Sequence, residues 1–282
     1  MTYAVFCEGF LLFYCYAFLG WCAEVSYHAV ITGRFVNRGF LNGPLCPIYG
    51  FGVMAVILLL SPFQENGLLL FFASLILTSI LEFFTGFLLE KLFHARWWDY
   101  SQEPFHLGPY VCLRFSLLWG FACVFVVQLL HPFFISLIAF LPLWLQAILL
   151  SILSAGLIVD LWATVASVTK MFRYLVQLDS LSQEIHHLSN RLGEKISDST
   201  LELLERQKQS KERLSEYKEH LEERREQLIS RLEERRESFR LSLAQLPRSH
   251  RRLLRAFPSL QSIAHPHILK ILRDSFEHRK KD

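Results

Sequence analysis

Long apolar stretches dominate the first 170 residues of this 282-residue chain. A transmembrane helix needs about 20 mostly apolar residues to cross roughly 30 Å of hydrocarbon. Five stretches are close to this length, at residues 3–23, 45–60, 68–92, 111–130 and 137–168. The sequence therefore predicts an all-α fold: a polytopic membrane bundle of about five transmembrane helices within residues 1–175.

Turn-forming residues mark the breaks between these stretches. Ser61-Pro62 and Asn66-Gly67 separate the second predicted span from the third, and His131-Pro132 separates the fourth from the fifth. Pro142 marks either the true start of the fifth span or a kink within it.

Basic residues indicate the orientation. Lys and Arg number 29, and those that precede residue 170 are Arg34, Arg38, Lys91, Arg96 and Arg114. They lie in the first and third connections, whereas the other two connections carry none. Because cytoplasmic loops carry the excess of Lys and Arg, we expect a plasma-membrane protein with its N-terminus outside and its C-terminal tail in the cytoplasm.

The first basic connection is rich in Gly, Pro and Asn, and it leads directly into the second span. Irregular backbone at membrane depth is tolerated only where protein or water satisfies its polar groups. We therefore predict a re-entrant or pocket-lining loop, with an ordinary cytoplasmic turn as the alternative. Its polar side chains include Asn37, Arg38, Asn42 and Tyr49.

The second basic connection contains residues 94–101, with the sequence HARWWDYS. Trp97 and Tyr100 suit the membrane–water interface. Arg96 and Asp99 are three residues apart, so they can pair on one helical turn. This segment is either a site element or a purely structural anchor.

Ionisable residues inside the predicted spans indicate a polar site. Glu82 and Asp160 lie within spans three and five, where a charge costs about 2.5–3.5 kcal/mol, so each is expected to face the bundle interior. Glu24 shares a helix face with Tyr27 and His28. We expect Glu82 to lie within reach of residues 37–49 or 96–99. The candidate ligand-binding residues are Glu24, Tyr27, His28, Asn37, Arg38, Asn42, Tyr49, Glu82, Arg96, Trp97, Asp99 and Tyr100.

These residues describe an inward-facing polar pocket for a cation, a polar solute or a lipid headgroup. The leading hypothesis is a permease-like protein that transports a small polar or charged solute. One alternative is a non-transport protein that binds a lipid headgroup and signals or scaffolds through its tail. The other is an intramembrane enzyme, which ranks lowest because the sequence shows no nucleophile–base pair and no metal-ligand pattern. No cofactor is indicated.

Several stretches together carry a family resemblance. They are residues 20–27, 37–50 (NRGFLNGPLCPIYG), 81–86, 96–101 (RWWDYS) and 112–120. Over residues 5–130 the chain resembles the CmpB-like family of bacterial multi-pass membrane proteins, which are labelled ABC-transporter permeases. The chain has no G-x-x-x-x-G-K-[ST] phosphate loop, so any ATPase would be a separate partner.

The tail follows a different pattern. From Leu178 to Leu192, apolar residues recur every three or four positions, and LEERRE at 221–226 recurs at 232–237. This predicts a coiled coil over residues 176–246 through which the protein forms a homo-oligomer, with a single solvated helix as the alternative. Residues 247–282 form a basic amphipathic segment whose nearest partner is membrane lipid, and no nucleic-acid motif is present.

The charge bias predicts which residues an impermeant thiol reagent reaches from outside the cell. Asn66→Cys lies in an expected external connection and should be labelled, whereas Ser101→Cys lies in an internal one and should not. The reverse pattern would contradict the orientation.

Overall fold

The computed structural model describes residues 2–206, 211–244 and 247–278. The chain forms two compact units: Met1–Lys170 with Ser249–Ala264, and Met171–Arg248 with His265–Asp282. We call these the membrane unit and the tail unit. Leu246 of the predicted coiled coil and the basic residues 279–281 lie outside the described residues.

The membrane unit is built from helices. In chain order they are α1 (Thr2–Thr32), α2 (Pro47–Leu59), α3 (Gly67–Phe93), α4 (Leu113–Phe125), α5 (His131–Ala139) and α6, which begins at Leu143 and runs to Arg206.

Four stretches of helix are long and apolar enough to cross a membrane: Tyr3–Thr32, Gly67–Phe93, Leu113–Ala139 and Leu143–Asp198. In the last three of these stretches, the share of the most apolar 18-residue segment that is buried inside the protein is only 11%, 17% and 6%, respectively. Their remaining apolar surface needs a hydrocarbon environment, which confirms the predicted helical membrane bundle. The second predicted span forms α2, whose 13 residues are shorter than a full crossing.

The predicted break at His131-Pro132 is wrong. A π-helical turn, Val126–Leu130, joins α4 to α5, so helix continues through Pro132. Proline in the first turn of α5 removes only one amide donor, and the wider turn before it accommodates the ring. The chain breaks instead at residues 140–142, and Pro142 directly precedes α6.

Close helix approach determines how α1 and α2 pack. The Tyr49 ring lies directly over Gly20, where an added Cβ would be 2.2 Å from Tyr49 Cγ. Deeper in the bundle, Tyr16 is buried and its hydroxyl is 2.8 Å from His131 Nδ1. These contacts hold α2 and α5 against the same helix.

Two connections meet at one end of the membrane unit, which we call the loop end. The first loop is residues 33–46 and the second is residues 94–112. The second loop contains β1 (Ala95–Arg96) and the antiparallel pair β2 (His106–Leu107) and β3 (Val111–Cys112). The Phe40 ring of the first loop lies 5.2 Å from that of Trp97 in the second.

The segment 249–264 also belongs to the membrane unit. It includes most of α8 (Arg248–Ala256) and β4 (Gln261–Ser262), and β4 pairs antiparallel with β1.

The tail unit contains the end of α6, α7 (Lys211–Ala244) and α9 (Pro266–His278). The Tyr174 hydroxyl donates to the carbonyl of Ser242, and Arg235 Nε lies 3.3 Å from Glu184 Oε2. These pairs run in opposite directions along the chain, so α6 and α7 form an antiparallel hairpin. Association between chains through this tail stays a prediction.

The Gly20 contact can be tested with alanine. Gly20→Ala should lower the thermal midpoint in detergent, because overpacking costs about 1–3 kcal/mol. Gly9→Ala is the matched control on the same helix, since nothing lies within 4 Å of its added Cβ. Equal midpoints for the two variants would contradict the packing of Tyr49 on α1.

Candidate functional site

The first loop folds back along α1. The Cys46 amide donates to the Ala17 carbonyl at 2.9 Å. Ala17 lies 15 residues before the end of α1, which is about 22 Å at 1.5 Å per residue. Non-helical backbone therefore packs beside a membrane helix.

Asn37 shapes the start of this loop. Its Oδ1 accepts hydrogen bonds from Trp21 Nε1 at 2.8 Å and from the Gly39 amide at 3.2 Å. Its Nδ2 donates to the Asn42 carbonyl at 2.6 Å. The Asn37 side chain thus holds the loop to α1 and closes the loop on itself.

Asp160 of α6 binds the tip of the loop. Oδ1 accepts from the Asn42 amide at 3.0 Å and from Asn42 Nδ2 at 2.9 Å, and Oδ2 accepts from the Gly43 amide at 2.7 Å. Asn42 Nδ2 is also 2.9 Å from Thr164 Oγ1. The sequence indicated that Asp160 faces the bundle, and the structure uses its charge to satisfy loop amides.

Arg252 of α8 binds the same loop through its carbonyl groups. Its guanidinium donates to the carbonyls of Gly39, Phe40 and Leu41 at 3.1, 3.1 and 2.9 Å. Burial lowers the pKa of this guanidinium from its ordinary value, and the Asp160 charge opposes the shift. Sequence reasoning missed Arg252, because nothing in its local pattern links it to carbonyls 211 to 213 residues earlier.

A polar cluster lies beside the loop. The Tyr49 hydroxyl donates to Glu24 Oε1 at 2.5 Å, and Arg38 Nε lies 3.7 Å from Glu24 Oε2. The Tyr100 hydroxyl donates to Glu82 Oε1 at 3.2 Å. The structure therefore brings together five of the predicted site residues, from α1, α2, α3 and both loops.

Glu82 contacts the second loop through Tyr100, which directly follows the predicted 96–99 turn. Its Oε2 atom is buried and accepts no hydrogen bond from the residues that the structure describes. The Trp119 side chain lies near the carboxylate. The Tyr100 hydroxyl that donates to Glu82 is a neutral group. Within the described part of the chain, no arginine pairs with the Glu82 carboxylate.

Arg96 pairs with a different acid from the one the sequence indicated. Its Nε lies 2.8 Å from Glu90 Oε2, and this hydrogen bond raises the pKa of the Arg96 guanidinium. The Tyr110 hydroxyl donates to the same oxygen at 2.7 Å. Asp99 instead accepts from the Ser101 amide at 2.9 Å. Sequence reasoning missed Glu90, although its position at the end of span three placed it beside the second loop.

A tyrosine hydroxyl thus binds each of three glutamates at the loop end. Two of these pairs also include an arginine: Glu24 with Arg38, and Glu90 with Arg96. Glu82 has its tyrosine and, among the described residues, no arginine. Glu82 is therefore the one of these three glutamates without an arginine beside it among the described residues.

The remaining predicted residues lie apart from this cluster. Trp97 is 3% exposed and packs against the rings of Phe40, Phe93 and Phe257. Tyr27 is largely exposed, and His28 Nδ1 lies 3.1 Å from Thr32 Oγ1 on its own helix.

An apolar groove lies at the opposite end of the bundle. Its volume is about 660 Å³, and Phe71 and Phe121 line it together with Glu65. The groove and the polar cluster are therefore separate features, because they share no residue.

Apolar helices of membrane-spanning length and a polar cluster at one end define a polytopic helical membrane protein. A sequence model of the family described as "Putative ABC-transporter type IV" matches residues 11–165. This match covers more than half of the chain, so the protein belongs to that family, and the resemblance seen in the loop motifs is confirmed. No curated protein and no solved structure matches the chain.

The role of Asp160 can be tested by removing its charge. Asp160→Asn places an amide donor beside loop amides and should lower the thermal midpoint, since hydrogen bonds to a charged group contribute about 1.5–3 kcal/mol each. Limited proteolysis within residues 33–46 should also become faster. Glu65→Gln, an exposed acid-to-amide change, is the control. An unchanged midpoint and unchanged proteolysis in Asp160→Asn would contradict this role.

Proposed function

We propose that this protein is a permease-like membrane component that binds a small cationic or hydrogen-bond-donating solute at Glu82. The observation that carries the proposal is the buried Glu82 Oε2 atom, which has no hydrogen-bond partner among the described residues. Membership of an ABC-transporter-type family supports a role in transport.

The charge of the cluster favours a cationic solute. Glu24 and Glu82 contribute two carboxylates, and Arg38 contributes one guanidinium, which lies next to Glu24. A carboxylate in a low-dielectric bundle is costly unless it is paired or hydrated. A cation or an ammonium group beside Glu82 would supply the missing charge without displacing Tyr100.

The surrounding side chains suit a small ligand. The rings of Tyr49 and Trp119 lie 5.5 Å apart, and those of Tyr100 and Phe115 stack at 5.0 Å. Aromatic faces attract cations, most strongly where water is excluded. The proposed site therefore combines one carboxylate oxygen with nearby aromatic rings.

The proposal extends to orientation and partners. The positive-inside bias supports a cytoplasmic loop end, and in that orientation the site opens inward. A separate ATPase subunit is the proposed energy source, and membrane lipids and further copies of the chain are the other proposed partners.

A second candidate is a lipid-headgroup sensor that scaffolds or signals through its tail. The antiparallel hairpin favours this role, because Leu178 and Leu232 are buried within it and its outer surface carries many charges. Such a protein would retain a lipid and show no solute flux.

The transport proposal can be tested in proteoliposomes. Solute-induced currents are measured with monovalent cations and small organic amines. The wild type should respond to at least one, Glu82→Gln should respond to none, and Glu65→Gln should behave as the wild type. Glu82→Gln keeps the shape of the side chain and removes the charge, so its loss of current would assign the charge a role.

Equal currents in the wild type and Glu82→Gln would contradict the assigned site. A wild type that is silent to every solute but carries a lipid in native mass spectrometry would support the headgroup candidate instead.

A further inference from the structure

The segment 249–264 returns to the membrane unit from the far end of the sequence. The chain leaves this unit after Lys170, passes through the tail unit to Arg248, returns for 16 residues and leaves again at His265. We call residues 249–264 the return segment.

The return segment is part of the core of the loop end. Leu253 and Leu260 are 0% and 1% exposed, and Ser262 is 3% exposed. Burial of this degree is typical of a core element and not of a surface strap.

One side of the return segment holds the first loop. Arg252 donates to three successive carbonyls, at Gly39, Phe40 and Leu41. A planar guanidinium presents several donors in a fixed geometry, which lysine cannot reproduce. The next residues of the same loop, Asn42 and Gly43, bind Asp160.

The other side holds the second loop. Ala95 pairs with Ser262 and Arg96 with Gln261, and the Ile263 amide donates to the His94 carbonyl at 3.0 Å. Ser259 Oγ donates to the Trp97 carbonyl at 3.2 Å, and the Phe257 ring lies 4.8 Å from the Trp97 ring. One segment therefore ties together the two loops that supply Arg38 and Tyr100.

We infer that the return segment is a regulatory latch, which keeps both loops closed over the polar cluster when bound and opens the cluster when displaced. The identity of the solute that enters on opening rests on the proposed function. The movement of the two loops does not depend on it. Both ends of the latch continue directly into the tail unit. A partner that binds the tail can therefore pull on the latch through the chain, without contacting the site.

The test uses Cys46 as a reporter of loop opening. Cys46 is 6% exposed and its Sγ would lie 3.4 Å from a Cβ added at Gly39, so it reacts only when the first loop moves. In a chain whose other five cysteines are replaced by alanine, modification of Cys46 by N-ethylmaleimide is followed by peptide mass spectrometry.

Arg252→Ala should accelerate this modification by roughly tenfold or more, because it removes three charge-assisted hydrogen bonds. Arg252→Lys should give an intermediate rate, since it keeps the charge but not the geometry. Arg34→Ala is the control, an exposed arginine of the first loop itself, and should stay within about twofold of the parent.

A disulfide provides the second measurement. Ala95→Cys with Ser262→Cys joins β1 to β4, and oxidation should slow Cys46 modification several-fold relative to the reduced protein. This comparison is made between two forms of one variant, so it holds even where Arg252→Ala does not fold.

Equal rates in the oxidised and reduced forms would overturn the latch, as would a folded Arg252→Ala that reacts at the parent rate. Because modification of Cys46 requires no solute, a failed flux assay leaves this test intact. Failure of the latch and failure of the proposed function are therefore distinguishable.

Discussion

The loop end depends on how the backbone of residues 39–43 is satisfied. This stretch is not helical, yet it packs beside membrane helices, where unpaired amides and carbonyls cost several kcal/mol each. Asp160 accepts hydrogen bonds from two of its amides, and Arg252 donates to three of its carbonyls. The Asp160 carboxylate accepts from the amides of the loop, and the Arg252 guanidinium donates to its carbonyls. Both charged groups therefore satisfy the polar backbone of the loop.

The position of this loop determines the polar cluster. With the loop folded back on α1, Arg38 lies next to Glu24, and α2 begins where Tyr49 can cover Gly20 and reach the same carboxylate. The second loop brings Tyr100 to Glu82. Tyrosine donates a hydrogen bond without adding a positive charge, so Tyr100 does not balance the charge of an ionised Glu82. Glu24 and Glu90 differ from Glu82 in this respect, because each of them lies beside an arginine.

Much of this architecture follows from the sequence. Apolar stretches of sufficient length required membrane helices, and the density of Gly, Pro and Asn before α2 indicated an irregular loop that needs protein partners. The cost of a charge at the depth of Glu82 predicted a polar partner from the loops, and Tyr100 is that partner, one residue beyond the predicted turn.

Other features depend on contacts that local patterns do not report. Arg96 had an acid three residues away, but the fold offered Glu90, whose carboxylate Tyr110 also orients. His131-Pro132 has the composition of a turn, and a π-helical turn absorbs it within a continuous helix. Arg252 lies outside the family match at 11–165, in a segment whose composition suggested a lipid-binding surface. Only the folded chain shows that it completes the loop.

Amide hydrogen exchange of residues 37–46 in lipid nanodiscs measures the hydrogen bonds of the first loop one residue at a time. Because both amides donate to Asp160, we expect Asn42 and Gly43 to exchange as slowly as the amides of the adjacent helices, although they lie in no helix or strand. Exchange as fast as that of Phe35, in the exposed start of the same loop, would contradict it.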